Sequence, residues 1–149
     1  MINLKVKGDL ILAFKLDKFD GIVHGCNCFC NMGAGIAKTI SKSFPSAFKA
    51  DQTTDYGDRN KLGTYSKVDT KHGLIINAYT QYHYGFGKMN CDYEAIEKVF
   101  TQLNKDFPGK TFGIPKIGCG LAGGSWKIVK KIIDKATPDI EIIVYYILN

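Results

Sequence analysis

No run of apolar residues in this 149-residue chain is long enough to cross a bilayer. Its first residues, MINLKVKGDL, alternate as a strand does and carry no secretion signal. A cytoplasmic protein without membrane contact is therefore expected. A disulfide framework is not expected either, because five cysteines is an odd number and the context reads as intracellular. There is no dense basic run. The 20 lysines and arginines against 14 acidic residues give a net charge of +6, but they are scattered, as in KIVKKIIDK. That balance favours anionic partners; nucleic acid is not expected. Repeats, low-complexity segments and linkers are all lacking. With 45% hydrophobic and 23% charged residues, the chain reads as one domain spanning residues 1–149, and a monomer is the default.

Six strands can be read: residues 3–6, 21–24, 63–68, 74–79, 111–116 and 140–147. The first two flank a turn-like LDKFDG. LIINAY, residues 74–79, is apolar almost throughout, as in a strand buried on both faces. Helical spacing joins Ile36, Ala37, Ile40, Phe44 and Phe48. It also joins Ile96, Val99, Phe100 and Leu103 behind an N-cap at Asn90 or Asp92, and Val129, Ile132, Ile133 and Ala136 behind Ser125. Strands separated by helices imply a layered α/β domain, whose ligands sit where strands end and helices begin.

Two stretches have that character. HGCNCFCNMGAGIA, residues 24–37, runs from a strand into a glycine-rich helix start, where free backbone N–H groups and the helix dipole suit an anion. Its C-x-C-x-C spacing is not that of a structural zinc site, and Cys91 and Cys119 are single and distant, so packing is the expected role of the cysteines and no metal is expected. IPKIGCGLAGGSW, residues 114–126, holds G-x-G-x-x-G at Gly118, Gly120 and Gly123. A dinucleotide fingerprint requires a following strand that ends in an acid. Here Asp139 and Glu141 stand at that strand's start. No phosphate-binding lysine motif of the G-x-x-x-x-G-K-[ST] type occurs. Two strand–glycine-loop–helix units remain, a pair of anion grips suited to one diphosphate. Asp9, in VKGDLI, either caps a helix or accepts from the exocyclic amine of a base. NAYTQYHYGFG, residues 77–87, reads as a surface loop or a lid, with Thr80, Gln81 and His83 facing a ligand if it closes.

KGDL, HGCNC, MGAGIA and IPKIGCGLAGGSW, in that order and over nearly the whole chain, resemble the macro domain family. The nearest likeness is to small ADP-ribose 1''-phosphate phosphatases, phage-type members among them, and to terminal ADP-ribose glycohydrolases. The resemblance implies a three-layer α/β/α sandwich with a mixed, roughly six-stranded sheet, and a cleft for ADP-ribose without a cofactor. Carried over by position, Asp9 would bind the adenine amine and Leu10 would help through its backbone. Asn27 would reach the distal ribose, which Gly33, Ala34, Gly35 and Ile36 would line with the phosphate. Gly118, Cys119, Gly120, Leu121, Ala122, Gly123 and Gly124 would wrap the diphosphate. Tyr146, or alternatively Tyr145, would pack by the adenine, since strand alternation turns only one of them inward.

The resemblance also bears on the reaction. Where the glycohydrolases have an attacking lysine and an acid, this sequence has Ala78 and Tyr79, and Ala122. The histidine of HGCNC matches that of the phosphatases. His24 would then exchange a proton during hydrolysis of ADP-ribose 1''-phosphate by water; otherwise it is a satisfied buried polar residue. A phosphatase is the leading expectation. A non-catalytic ADP-ribose-binding module and a de-ADP-ribosylating hydrolase that uses substrate-positioned water are the alternatives.

Overall fold

The computed structural model describes residues 1–84, 89–120 and 122–147. The chain runs β1 (Ile2–Lys7), α1 (Leu10–Lys15), β2 (Gly21–Cys26), α2 (Gly35–Ser43), α3 (Pro45–Gln52), β3 (Tyr65–Thr70), β4 (Gly73–Tyr79), α4 (Tyr93–Asp106), β5 (Thr111–Ile114), α5 (Trp126–Ala136) and β6 (Glu141–Tyr146). The strands form one sheet in the order β1-β6-β5-β2-β4-β3. Neighbours pair in parallel except β3, which runs antiparallel to β4 through a tight hairpin and makes the sheet mixed.

Alternation along the central strands divides the core in two. Ile22 and Ile75 pack with Leu10, Phe14, Ile40 and Ala47 beneath α1, α2 and α3. Val23, Ile76, Ile114 and Val144 pack with Ile96, Phe100, Val129 and Ile133 beneath α4 and α5. The result is a three-layer α/β/α sandwich. Among the described residues no helix is long and apolar enough to cross a membrane.

Three local features depart from the sequence reading. The segment between the first two strands holds α1, whose LILAFK is too short and too uniformly apolar to show a helical period. The helix expected over residues 36–48 is two helices. Phe44, at φ −135° and ψ 79°, breaks the run because the following Pro45 forces its neighbour out of helical geometry and then starts α3 as N1. β5 stops at Ile114, before Pro115, which has no N–H to give the sheet. Of the two N-caps considered for α4, Asp92 is the one used, its side chain accepting from Ala95 N. The parallel strands all point the same way, so the connections leaving β1, β2, β4 and β5 gather at one edge of the sheet.

Candidate functional site

At that edge a cleft of about 570 Å³ opens between the connections after β2 and β5. One wall is Asn27, Asn31 and the residues from Gly33 to Ala37; the other is Pro115, Lys116, Ile117, Gly118, Gly120 and Ala122. Gly25 and Cys26 form the floor, and Gln81 and Tyr84 border it from the connection after β4. A more open depression of about 580 Å³ lies beside α4, lined by Gly63, Thr64, Glu97 and Asp106 among others. It touches neither glycine loop, and its charged lining is Glu97 and Asp106 against Lys98 alone, so it suits an anion less well.

The first wall is held by its own asparagines. Asn27 Oδ1 accepts from Phe29 N at 2.9 Å while its Nδ2 donates to Asn31 O at 2.8 Å. Asn31 Oδ1 accepts from Gly33 N at 2.9 Å, so that amide is spent on the loop. α2 then begins without a side-chain cap, with Gly35 at φ +59°. Its first-turn N–H groups point out of the helix without an intrahelical partner. This is the arrangement that favours an anion.

The second wall is a glycine loop that folds on itself. Cys119 N donates to Lys116 O, Gly123 N to Gly120 O, and Gly124 N to Gly118 O. These three amides shape the loop, and their residues do not line the cleft. Gly118 and Gly120 do line it, and their amides make no backbone bond to a described residue. Gly118 is a required glycine: it sits at φ +77°, and a Cβ there would meet Cys91 Sγ at 2.5 Å. Leu121, expected in this wall, lies outside the described residues, as do residues 85–87 of the loop read as a lid.

His24 is the main correction. It is fully buried on β2 and does not line the cleft. Its Nε2 lies 2.7 Å from Asn77 Oδ1, and Asn77 Nδ2 donates to Ala47 O and Ser66 Oγ. The amide orientation makes Asn77 Oδ1 an acceptor, so His24 Nε2 carries the proton. Burial pushes the imidazole pKa down to about 4. A group so placed cannot touch a ligand in the cleft; it ties β2 to β4 and, through Asn77, to α3. The satisfied buried residue is the reading that the structure favours.

The three alternating thiols diverge. Cys26 Sγ stands 3.6 Å from His24 Nε2, Cys28 Sγ donates to Gln81 O, and Cys30 Sγ donates to Asp51 O. Burial raises the Cys26 pKa and lifts that of Cys28 to about 11, so both are neutral packing groups. All five cysteines are free thiols.

Asp9 does cap α1: its Oδ1 accepts from Ile11 N at 2.9 Å and Leu12 N at 3.1 Å. Oδ2 has no protein partner among the described residues, so capping leaves it available to an amine. Gly8 N donates to Tyr146 O, which joins this turn to the end of β6. Alternation places the two tyrosines on opposite faces. Tyr145 packs on Phe19 under α1, with ring centroids 5.4 Å apart. The Tyr146 ring is flanked by Lys5 Nζ at 4.8 Å and Lys116 Nζ at 5.4 Å. Lys116 thus spans from Tyr146 to the cleft. Asp9, Leu10 and Tyr146 do not line the cleft; they lie toward the β1–β6 end of the sheet.

Sequence reading missed Asn31, Lys116 and Tyr84 as lining residues. Lys116 had a signal, since it stands between the strand and the first glycine of IPKIGCG. Tyr84 lay in the aromatic stretch read as a surface loop or lid, but nothing there singled it out; Asn31 had no signal. Thr80 carries one of two buried side-chain oxygens without a partner among the described residues; the other is Asp51 Oδ2. A Cβ at Gly25, in the cleft floor, would stand 2.7 Å from Thr80 Oγ1.

Comparison with known proteins agrees with this architecture. The Macro domain family matches residues 23–133. An uncharacterised 17.5 kDa protein from the tk-vs intergenic region of Enterobacteria phage T4 is 36% identical over 153 residues, covering 97% of this chain and 96% of that protein. The ADP-ribose glycohydrolase OARD1 of Homo sapiens is 28% identical over 149 residues, covering 94% of this chain and 88% of that one. Among solved structures, the macrodomain of Mycobacterium tuberculosis DarG superposes with a TM-score of 0.77 at 23% identity, over 97% of both chains. Thermosipho africanus DarTG in complex with ADP-ribose gives 0.75 at 18% identity, over 97% of this chain and 42% of that one.

Proposed function

We propose that this chain, which belongs to the Macro domain family, binds ADP-ribose in the cleft at the sheet edge and hydrolyses the phosphomonoester of ADP-ribose 1''-phosphate. The observation that carries the reading is the charge of the cleft. Its described lining offers the start of α2, two unspent glycine-loop amides and Lys116, and no carboxylate. Such a surface suits a ligand of several negative charges, and a phosphate added to the diphosphate suits it better still. Asp9 Oδ2 would take the adenine amine, with Tyr146 beside the ring, and the diphosphate would lie between the two glycine loops.

In the reaction, water attacks phosphorus and the bond from phosphorus to the oxygen on C1'' breaks. The products are ADP-ribose and inorganic phosphate. The proton given up by water goes to the departing oxygen, directly or through an oxygen of the ester itself. An anomeric oxygen leaves more readily than an ordinary alkoxide, so the protein's main task is to hold the charge that develops on the phosphoryl oxygens. The α2 amides, on the terminal-ribose side of the cleft, supply that, while Lys116 holds the diphosphate. His24 has no part in the proton transfer.

A covalent glycohydrolase reaction has less support. Ala78 and Tyr79, where the resemblance places a lysine, are buried, and Ala122 offers no proton.

The test is phosphate release from ADP-ribose 1''-phosphate, with ADP-ribose affinity measured alongside by calorimetry. Lys116→Ala is expected to weaken ADP-ribose and its 1''-phosphate alike, about tenfold, while His24→Gln, at a temperature where it is folded, is expected to keep phosphate release. ADP-ribose binding without any phosphate release would leave a recognition module in place of a phosphatase.

A further inference from the structure

Five rings meet beside the cleft. Phe29 is the hub, with His83 lying flat on it at a centroid separation of 4.6 Å and an interplanar angle of 14°. Tyr82 stands edge-on to Phe29 at 4.9 Å, Tyr56 at 5.3 Å and Tyr84 at 6.1 Å. The Arg59 guanidinium lies over the Tyr82 ring at 3.9 Å. Aromatic clusters that serve only packing bury their rings. In this one His83 is exposed, Tyr84 is 51% exposed and Tyr56 72% exposed.

The cluster is continuous with the cleft. Tyr84 borders both. Gln81, another cleft residue, donates from Nε2 to His83 O at 2.8 Å, and Asn27 Oδ1 holds Phe29 N at 2.9 Å. The rings are therefore tethered to the cleft walls. Their place in the sheet order matters too. Asp9 and Tyr146 lie over the β1–β6 end, the glycine loops over β5 and β2, and the rings over β2 and β4. A ligand with adenine at the first end and its diphosphate at the centre brings its terminal ribose to the rings.

We propose that the Phe29–His83–Tyr84 cluster is a subsite for a flat unsaturated ring attached to the terminal ribose of an ADP-ribose derivative. The inference rests on the ADP-ribose reading of the cleft. Stacking on exposed His83 and Tyr84 supplies the affinity, since flat rings stack on aromatic side chains whatever their substituents. Asp58 stands beside Arg59 with the opposite charge, so the cluster sets no preference between a neutral and a cationic ring.

Dinucleotides provide the probe. ADP-ribose has no ring on its terminal ribose, NAD⁺ carries a cationic ring there and NADH a neutral one. Calorimetry on the whole protein is expected to show NADH and NAD⁺ each binding at least fivefold more tightly than ADP-ribose. His83→Ala is expected to remove the advantage of both while changing ADP-ribose affinity less than twofold. Tyr56→Ala, at the outer margin, is expected to reduce that advantage by a smaller factor. ADP-ribose binding with no gain from either ring, or a gain that survives His83→Ala, would overturn the subsite and leave the cleft reading intact. Failure of ADP-ribose itself to bind would overturn both.

Discussion

His24 and Gly118 show how much a residue's role depends on what surrounds it. A histidine at a strand end near two glycine loops invites a catalytic reading, but its ring is enclosed and bonded to Asn77. Its depressed pKa has a measurable consequence. In the unfolded chain a histidine titrates near pH 6.5, in the folded protein at about 4. Between those values the unfolded state takes up a proton that the folded state refuses. Stability from this group is therefore complete above about pH 6.5 and falls with pH through that window, by about 3 kcal/mol at most. Asp51, whose pKa is raised by burial, works in the opposite direction, relieved as pH falls. The difference between wild type and His24→Gln isolates the histidine. Urea midpoints at pH 7 and pH 4.5 are expected to separate widely for wild type and to draw together for the variant. Gly118 was legible from sequence as part of a glycine motif, but its reason, the sulfur of Cys91 beneath a left-handed backbone, was not.

At the scale of elements, the start of α1 rests on Asp9, which caps the helix through Oδ1; the proposed ADP-ribose reading gives Oδ2 to the ligand. The two roles separate by substitution. Asp9→Ala is expected to cost about 1 kcal/mol of stability through the lost cap. Asp9→Ser is expected to keep most of that stability, because a hydroxyl also caps. Both are expected to lose ADP-ribose affinity, by tenfold or so, since neither has a second carboxylate oxygen for the adenine amine. Thermal unfolding and calorimetry on the pair check this; full affinity in Asp9→Ser would reduce Asp9 to a cap. The alternatives left open for Asp9 by its sequence are thus compatible. The Phe44–Pro45 break was readable from proline chemistry, whereas the period of apolar residues ran across it. α1 was unreadable because six residues give less than two turns of pattern.

At the scale of the whole molecule, the net charge of +6 and the lone Lys116 in the described cleft lining predict a moderate electrostatic share in binding. Raising salt from 50 to 500 mM shortens the screening length from about 14 to about 4 Å. ADP-ribose affinity is expected to fall several-fold over that range by calorimetry, with enough left from hydrogen bonds and packing for binding to persist. A loss of a thousandfold would mark a site built on surface charge alone. The alternation of strands, the helix periods and the two glycine loops are local properties of sequence, so a layered α/β domain with two glycine loops at strand ends could be read from the chain itself, and the family resemblance added the mixed sheet. Which groups face the cleft could not. Strand pairing set His24 against Asn77, loop folding spent the amides of Cys119, Gly123 and Gly124 internally, and residues from separate connections brought Phe29, Tyr56 and Tyr82 to Tyr84 together. Those are contacts across long stretches of chain, decided by packing, and no local pattern encodes them.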